Sequence, residues 1–521
     1  MYTLITKDYK TFLIGDTVIT DVSLIRPALP NDLVTIDNGY IAVEKRAKHT
    51  GLVGVIEMAS TVKYGYTSRG IPIYLFVPWN ESYPPFYVGS SHRSKQNVIA
   101  IVDYESWEPG MNCPRGSCRV VLGPCGDLAA EEAALAAHAS PNPWKKSILP
   151  PNLLERASGN PDHLSGSTFH VDPPGCRDID DAMTFIANPD GTMKVYIHIS
   201  DVATLLCVNE PLWRAEQIGQ TLYKDGAVQV GLFPPTVEES LSLLPGHSRL
   251  TLTLAFLWDP ATNSITDVRW LHLYIIVKES YTYETILKSH RAALLKGLCV
   301  ALGGADTDDA HDWIAQTMLF YNKKAAKLLK AYGEGILRSH DAPQTAVLSR
   351  IESFATIPKF LAYSSSKYCA AAEPNTWHWG LGEELYCHAS SPIRRYADCI
   401  NQTCIMNALF DYELPVPTHS VERLNATEKA TKTFERDLFF VRALLLNAGK
   451  AVEPVQGVVV EVSEKCMKVW TAAWNMIVRI RKPVGGWELE PSVGMELGMR
   501  PHADYTQRNW KRRITIAVVR R

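Results

Sequence analysis

Four carboxylates fall within ten residues, Asp172, Asp178, Asp180 and Asp181, with Pro173, Pro174 and Gly175 standing between the first and the rest. Proline and glycine there forbid helix and turn the backbone, so the three later acids can converge with Asp172 from two sides of one loop. Carboxylates gathered in one place repel unless a hard cation holds them, which points to a magnesium site for phosphoryl chemistry. On its own the loop reads equally well as a solvated acidic turn.

A second group with chemical potential is Ser390-Ser391-Pro392-Ile393-Arg394-Arg395-Tyr396. Serine at a cap and proline in the first turn predict a helix start, with Ile393, Tyr396, Ile400 and Cys404 as its inward stripe. Arg394 and Arg395 then add fixed charge to exposed amides and the positive end of the helix dipole, an arrangement that holds phosphate. A pair of structural salt bridges is the equal alternative. No Ser-His-Asp or Cys-His group stands out as a covalent nucleophile.

The elements that must position these groups follow from periodicity. Met193, Val195, Ile197 and Ile199 alternate with polar residues and predict a half-buried strand directly after the acidic loop. Leu250 to Phe256 and Val268 to Val277 predict further strands of an antiparallel sheet. Asn209 can cap a helix in which Leu212, Ala215, Gly219 and Leu222 share a face and Tyr223 lies at the far end. A longer helix is expected from Asp309, and another through Phe434, Leu438, Val441 and Leu445 to about Gly449. Residues 1–150 carry short β-rich runs separated by Gly, Pro and Ser, as small barrels do, and Pro141 to Pro151 makes a domain junction. Residues 451–521 return to barrel-like strands and end in a basic tail.

Composition bounds the class. The 521 residues are 46% hydrophobic, enough for roughly two to four domains. Lys and Arg number 53 against 55 Asp and Glu, so any nucleic-acid surface must be local. Eleven cysteines form no CxxC pair, and Cys113, Cys118 and Cys125 have no second ligand pair at zinc spacing. No apolar run approaches the roughly 20 residues of a membrane span, and the start lacks the pattern of a signal peptide. An intracellular, cytoplasmic protein without membrane attachment is expected.

Taken together, three separated motifs resemble the ribonuclease II / RNB family of exoribonucleases, in the form of its exosome-type, Dis3-like branch. His170 to Ala182 is similar to the family's acidic signature, and His198-Ile199-Ser200-Asp201-Val202 to the strand after it. The likeness continues through Ser242 to Gly246, Tyr281-Thr282-Tyr283-Glu284, His378-Trp379-Gly380-Leu381 and Ser391 to Asp398. It implies a multidomain α+β fold: an RNB catalytic domain at 151–450, with an antiparallel sheet and helices, flanked by OB-type cold-shock-like barrels at 1–150 and 451–521.

The resemblance also implies magnesium-dependent hydrolysis of single-stranded RNA from a free 3′ end, releasing nucleoside 5′-monophosphates. One or two Mg²⁺ ions, with Mn²⁺ as a substitute, would be held by Asp172, Asp178, Asp180 and Asp181. Asp180, Arg394 and Tyr283 would be catalytic, Asp180 being the acid whose loss costs most. Tyr223, Tyr283, Arg394 and Arg395 would contact RNA, and Glu435 lies where the family has an acidic helix residue. A buried core role is the alternative for either tyrosine. Departures are a first barrel, Met1 to about Arg46, that looks truncated, the lack of an N-terminal endonuclease domain, and a shortened segment after Tyr283. They weigh against exosome docking, and a monomer is expected. The rival reading is a catalytically silent RNA-binding scaffold of the same family.

Overall fold

The computed structural model describes the chain except residues 38–39, 109, 145–161, 165, 344, 346–353, 355–356, 359–360, 362–363, 411, 447–451, 484, 488–489, 506, 508–512 and 520–521. Most of the junction from Pro141 to Pro151, the end of the helix near Gly449 and much of the basic tail therefore lie outside the described residues. Two compact units emerge: Met1–Asn142 with Ile351–Pro358 and Lys432–Arg521, and Pro143–Arg350 with Lys359–Thr431. Glu435 belongs to the first.

The first unit is dominated by β-structure. The segment that looks too short for a barrel still lays down five strands between Tyr2 and Lys45, in an open sheet over Leu4, Phe12, Ile14 and Val34. Leu52–Ile56, Ile73–Pro78, Phe86–Gly89, Val98–Ser106 and Arg115–Pro124 close a true barrel around Phe76, Phe86 and Val98. Five more strands from Val455 to Val519 form a second open sheet over Val459, Val469 and Met499. The helix Leu128–Ala139, capped by Asp127, carries Glu131, which is fully buried against the equally buried Arg513.

The second unit is an α+β domain around one six-stranded sheet. Thr168–Val171, Asp181–Ala187, Met193–Ser200 and Ser248–Asp259 are neighbours in that order, joined antiparallel beyond the first pair as well as within it. The 18-residue strand Ser264–Tyr281 pairs antiparallel with Ser248–Asp259 over most of its length, then parallel with Thr168–Val171 at its end. The expected antiparallel sheet is thus mixed, because one long strand reaches both sides of it. Helix Ala310–Tyr332 starts at the Asp309 cap and stops at Gly333, whose φ of 84° suits a left-handed helix end.

Two expected helices differ. From Asn209 the chain makes only a 3-10 helix, Glu210–Gln217, and the Asn209 side chain makes no cap hydrogen bond. It stops because Gly219 takes φ 77°, and Leu222–Lys224 is instead the first strand of a hairpin with Ala227–Val230. The second helix begins at Tyr396, a turn later than the serine and proline suggest, and runs to Phe410. It is buried along most of its length. Gln402 accepts from Val202 and Ala203 N–H at 2.7 and 3.1 Å and donates to the Ser200 carbonyl at 2.8 Å, tying it to the end of Met193–Ser200.

Within the sheet, His198 is fully buried between the Thr184 and Thr253 hydroxyls, 3.0 and 2.9 Å away. Burial lowers its pKa from 6.5 to about 3. The unfolded chain therefore takes up a proton in that interval that the folded chain refuses, and stability falls as pH drops through it. The expected result is that thermal melts of His198→Gln lose less midpoint between pH 6.5 and 4 than those of the wild type.

Candidate active site

The acidic loop is a chain of fixed turns. Pro173 to Cys176 form a type II turn, with proline at its second position, Gly175 at φ 79° in its third, and Cys176 N–H on the Pro173 carbonyl at 3.2 Å. Ile179 N–H donates to Ser242 Oγ at 2.9 Å, and Ser200 N–H to the Asp180 carbonyl at 2.9 Å. The loop is thereby pinned to the end of the strand Met193–Ser200 and to the cap of the helix Pro235–Leu241. It walls a cavity of about 680 Å³ lined by all four aspartates with Tyr223, Tyr283, His311 and Arg394.

The hydrogen bonds divide the aspartates. Asp180 is 2% exposed, and both its oxygens are taken: Ile393 N–H donates to Oδ1 at 2.8 Å and Arg394 Nε to Oδ2 at 3.0 Å. The amide and guanidinium expected to hold phosphate thus hold a carboxylate of the same chain. Burial raises Asp180 well above the usual carboxylate range against the pull of Arg394 and that amide. Asp178 receives the Tyr223 hydroxyl on Oδ2 and the Cys176 thiol on Oδ1, the latter at 3.5 Å. Asp172 receives His170 Nδ1 on Oδ2 at 2.8 Å. Asp181 makes no side-chain hydrogen bond among the described residues, and burial with the charge of Asp172 pushes it up to about 7.

Mutual repulsion of Asp172 and Asp181 in one cavity, each with an oxygen not bonded to protein, fits a hard divalent cation. Among the described residues no three acidic, His or Cys side chains are already drawn into metal-holding geometry. Asp180, held by an amide and a guanidinium, is less open to such an ion than Asp172 or Asp181, and Asp178 also has a donor on each oxygen, one of them a thiol at 3.5 Å.

The two arginines part company. Arg394 faces the cavity, its Nη2 on Ser391 Oγ at 2.9 Å, and its Nη1 makes no hydrogen bond among the described residues. Arg395 instead forks onto Asp398 at 2.9 and 2.8 Å, and Asp398 also accepts Ser391 N–H at 2.8 Å. It does not line the cavity, and its fork onto Asp398 holds the turn that presents Arg394. Thr221 N–H on the Arg394 carbonyl and Tyr396 N–H on the Gly219 carbonyl, each at 2.9 Å, clip the Tyr223 hairpin to this turn.

Tyr283 opens a short helix, Tyr283–Ile286, capped by Thr282. Its ring stacks on His311 with centroids 3.6 Å apart, and burial with the Asp172 charge pushes its hydroxyl up to about 12. His311 carries no local signature and is brought in only by the packing of its helix. His170 was legible in principle, because it precedes Asp172 by two and alternate residues of a strand share a face. Its Nε2 lies 2.8 Å from Ser280 Oγ, so the structure does assemble a Ser-His-Asp group, against the expectation of none.

Residues 162–294 and 288–411 match the RNB domain, and residues 73–140 the Dis3-like cold-shock domain 2. Over 449 residues the chain is 23% identical to exosome complex exonuclease RRP44 homolog A of Arabidopsis thaliana, covering 67% of this chain and 47% of that one. The chain thus spans about half the length of that curated relative. Mycoplasma genitalium RNase R, solved in complex with ribose methylated single-stranded RNA, aligns at TM-score 0.72 and 16% identity over 99% of this chain and 100% of that one. Yeast Ssd1, a pseudonuclease, aligns at 0.60 and 14% over 97% and 80%. At those identities the structural likeness is one of fold, and it agrees with the domain matches: the chain carries an RNB domain and a Dis3-like cold-shock domain.

Proposed function

We propose that the chain is a magnesium-dependent 3′ to 5′ exoribonuclease that hydrolyses single-stranded RNA to nucleoside 5′-monophosphates. The observation that carries this is one cavity walled by four carboxylates, an arginine with a free edge and two tyrosines, in a chain that carries an RNB domain. On this reading residues 151–450 carry the chemistry, and the β regions at 1–150 and 451–521 hold RNA.

Asp172 and Asp181, with Asp178, would hold the cation, which when bound activates water and stabilises the leaving 3′ oxygen. Arg394 offers Nη1 to the scissile phosphate as its charge develops, while Asp180 and Ser391 fix its other nitrogens. Tyr223, through its hydroxyl on Asp178, keeps that carboxylate turned and leaves its ring on the cavity wall. Tyr283 offers a ring face for the terminal base, the other face being covered by His311. Such stacking is worth about 1–3 kcal/mol per base and is indifferent to sequence. Tyr283→Ala is therefore expected to raise KM for an RNA oligomer about 5- to 100-fold, with a smaller change in kcat, in steady-state assays.

The deciding experiment incubates the protein and 5′-labelled single-stranded RNA with magnesium, beside a DNA oligomer and a chelator control. A shortening ladder ending in 5′-monophosphate, lost with chelator, is expected. RNA binding without any ladder would favour a silent scaffold, the reading to which the fold of Ssd1 lends weight. Phosphate dependence with diphosphate products would sink hydrolysis.

A further inference from the structure

His170 is nearly enclosed, 7% exposed, and stands between two groups: Asp172 Oδ2 and Ser280 Oγ, each 2.8 Å from one ring nitrogen. The strand register explains the meeting, for His170 is the direct partner of Ser280 where Thr168–Val171 runs parallel to the end of Ser264–Tyr281. One assignment satisfies every group with a neutral ring. Ser280 O–H donates to Nε2, which leaves Nδ1–H to donate to Asp172.

The effect falls on Asp172. Its Oδ2 is fixed by an N–H donor, its backbone N–H is fixed on the Tyr281 carbonyl at 3.1 Å, and Oδ1 has no protein donor among the described residues. The carboxylate is thus held in one orientation with one oxygen open. Asp178 and Asp180 have protein donors on both oxygens, and Asp181 on neither. Of the four acids, Asp172 alone combines a clamped oxygen with an open one.

We propose that His170 is a positioning residue that presents the Asp172 carboxylate to a divalent cation, with Ser280 locking the imidazole in turn. This rests on the function proposed above. Partners behind a ligating carboxylate fix its direction, and their loss typically costs about 10- to 100-fold in metal affinity. The alternative use of the same three groups, with Ser280 as a nucleophile, would leave Ser280 reactive toward a fluorophosphonate probe.

The test uses the full chain without RNA. Mn²⁺ is titrated against wild type, His170→Asn, His170→Gln and His170→Leu, with free Mn²⁺ read by electron paramagnetic resonance. Asparagine places its amide nitrogen near the position of Nδ1 and keeps the donor to Asp172; glutamine reaches instead toward the position of Nε2. The Asn variant is expected within about 3-fold of wild type, and Gln and Leu about 10- to 100-fold weaker. RNA binding in chelator should be equal in all four, and the Mg²⁺ needed for half-maximal cleavage should move with the Mn²⁺ affinity. A general loss of packing would not spare Asn while harming Gln. Wild-type Mn²⁺ affinity in Gln and Leu, or fluorophosphonate labelling at Ser280, would overturn the proposal. A wild type that neither binds Mn²⁺ nor shortens RNA would remove the function reading, and this one with it.

Discussion

Asp180→Asn is expected to abolish most nucleotide release, a fall of about 10²-fold or more in kcat, while the protein melts within a few degrees of the wild type or above it. The two halves of that result come from one environment. Asp180 is buried, and its burial raises the carboxyl well above its ordinary range, so the folded chain carries that charge at a cost. Asparagine removes the cost, and its carbonyl oxygen can still accept Ile393 N–H, the 2.8 Å bond that closes the turn. What it cannot replace is the charge opposite Arg394 Nε. The guanidinium would then lose the anchor that aims Nη1 at the cavity. Calorimetry and single-turnover cleavage on one preparation read both halves. A variant that is inactive because it is unfolded would contradict this account.

Arg394→Ala is expected to lower kcat by about 10²- to 10³-fold with little change in RNA affinity, the size usual for losing one donor aimed at developing charge. Arg394 is 47% exposed at its side chain but its partner Asp180 is buried, so Arg394→Ala is expected to lower the melting point as well, and the rate is read at a temperature where the variant is folded. Lysine is a poor substitute, because one ammonium cannot meet Asp180, Ser391 and a phosphate together. If Asp180 works through Arg394, the double variant Asp180→Asn with Arg394→Ala should be little slower than Arg394→Ala alone. Multiplying losses would show that Asp180 acts on its own, as an ion ligand or otherwise.

Local sequence carried the parts of this site whose geometry is local. Pro174 and Gly175 dictate a type II turn because one needs fixed negative φ and the other tolerates φ of 79°. The alternation from Met193 to Ile199 dictates a strand because a half-buried pleat has a period of two. Length and composition were enough to foresee several domains, and the order of motifs was enough to foresee the RNB domain. Where local rules erred, a competing contact won. The 210–217 segment had helical spacing, but Gly219 docks its carbonyl on Tyr396, and Tyr223 arrives on a hairpin whose Asp225-Gly226 turn has φ of 52° and 75°. Ser391 carries the expected helix-start chemistry, yet its N–H goes to Asp398 and the helix waits until Tyr396.

The sequence by itself determined which groups the site could contain: four acids on a forced turn, two arginines, two tyrosines, and strands stiff enough to hold them. Only the tertiary structure decided how each was used. Asp180 meets the Ile393 amide across 213 positions, Arg395 is claimed by Asp398 and Arg394 is not, and His170 finds Ser280 through the register of two parallel strands. Turns and strands follow from contacts between near neighbours, which a chain displays in its order. The bonds that occupy both oxygens of Asp180, and the one that locks His170 behind Asp172, join segments more than a hundred residues apart, and those long-range pairings appear only once the core has packed.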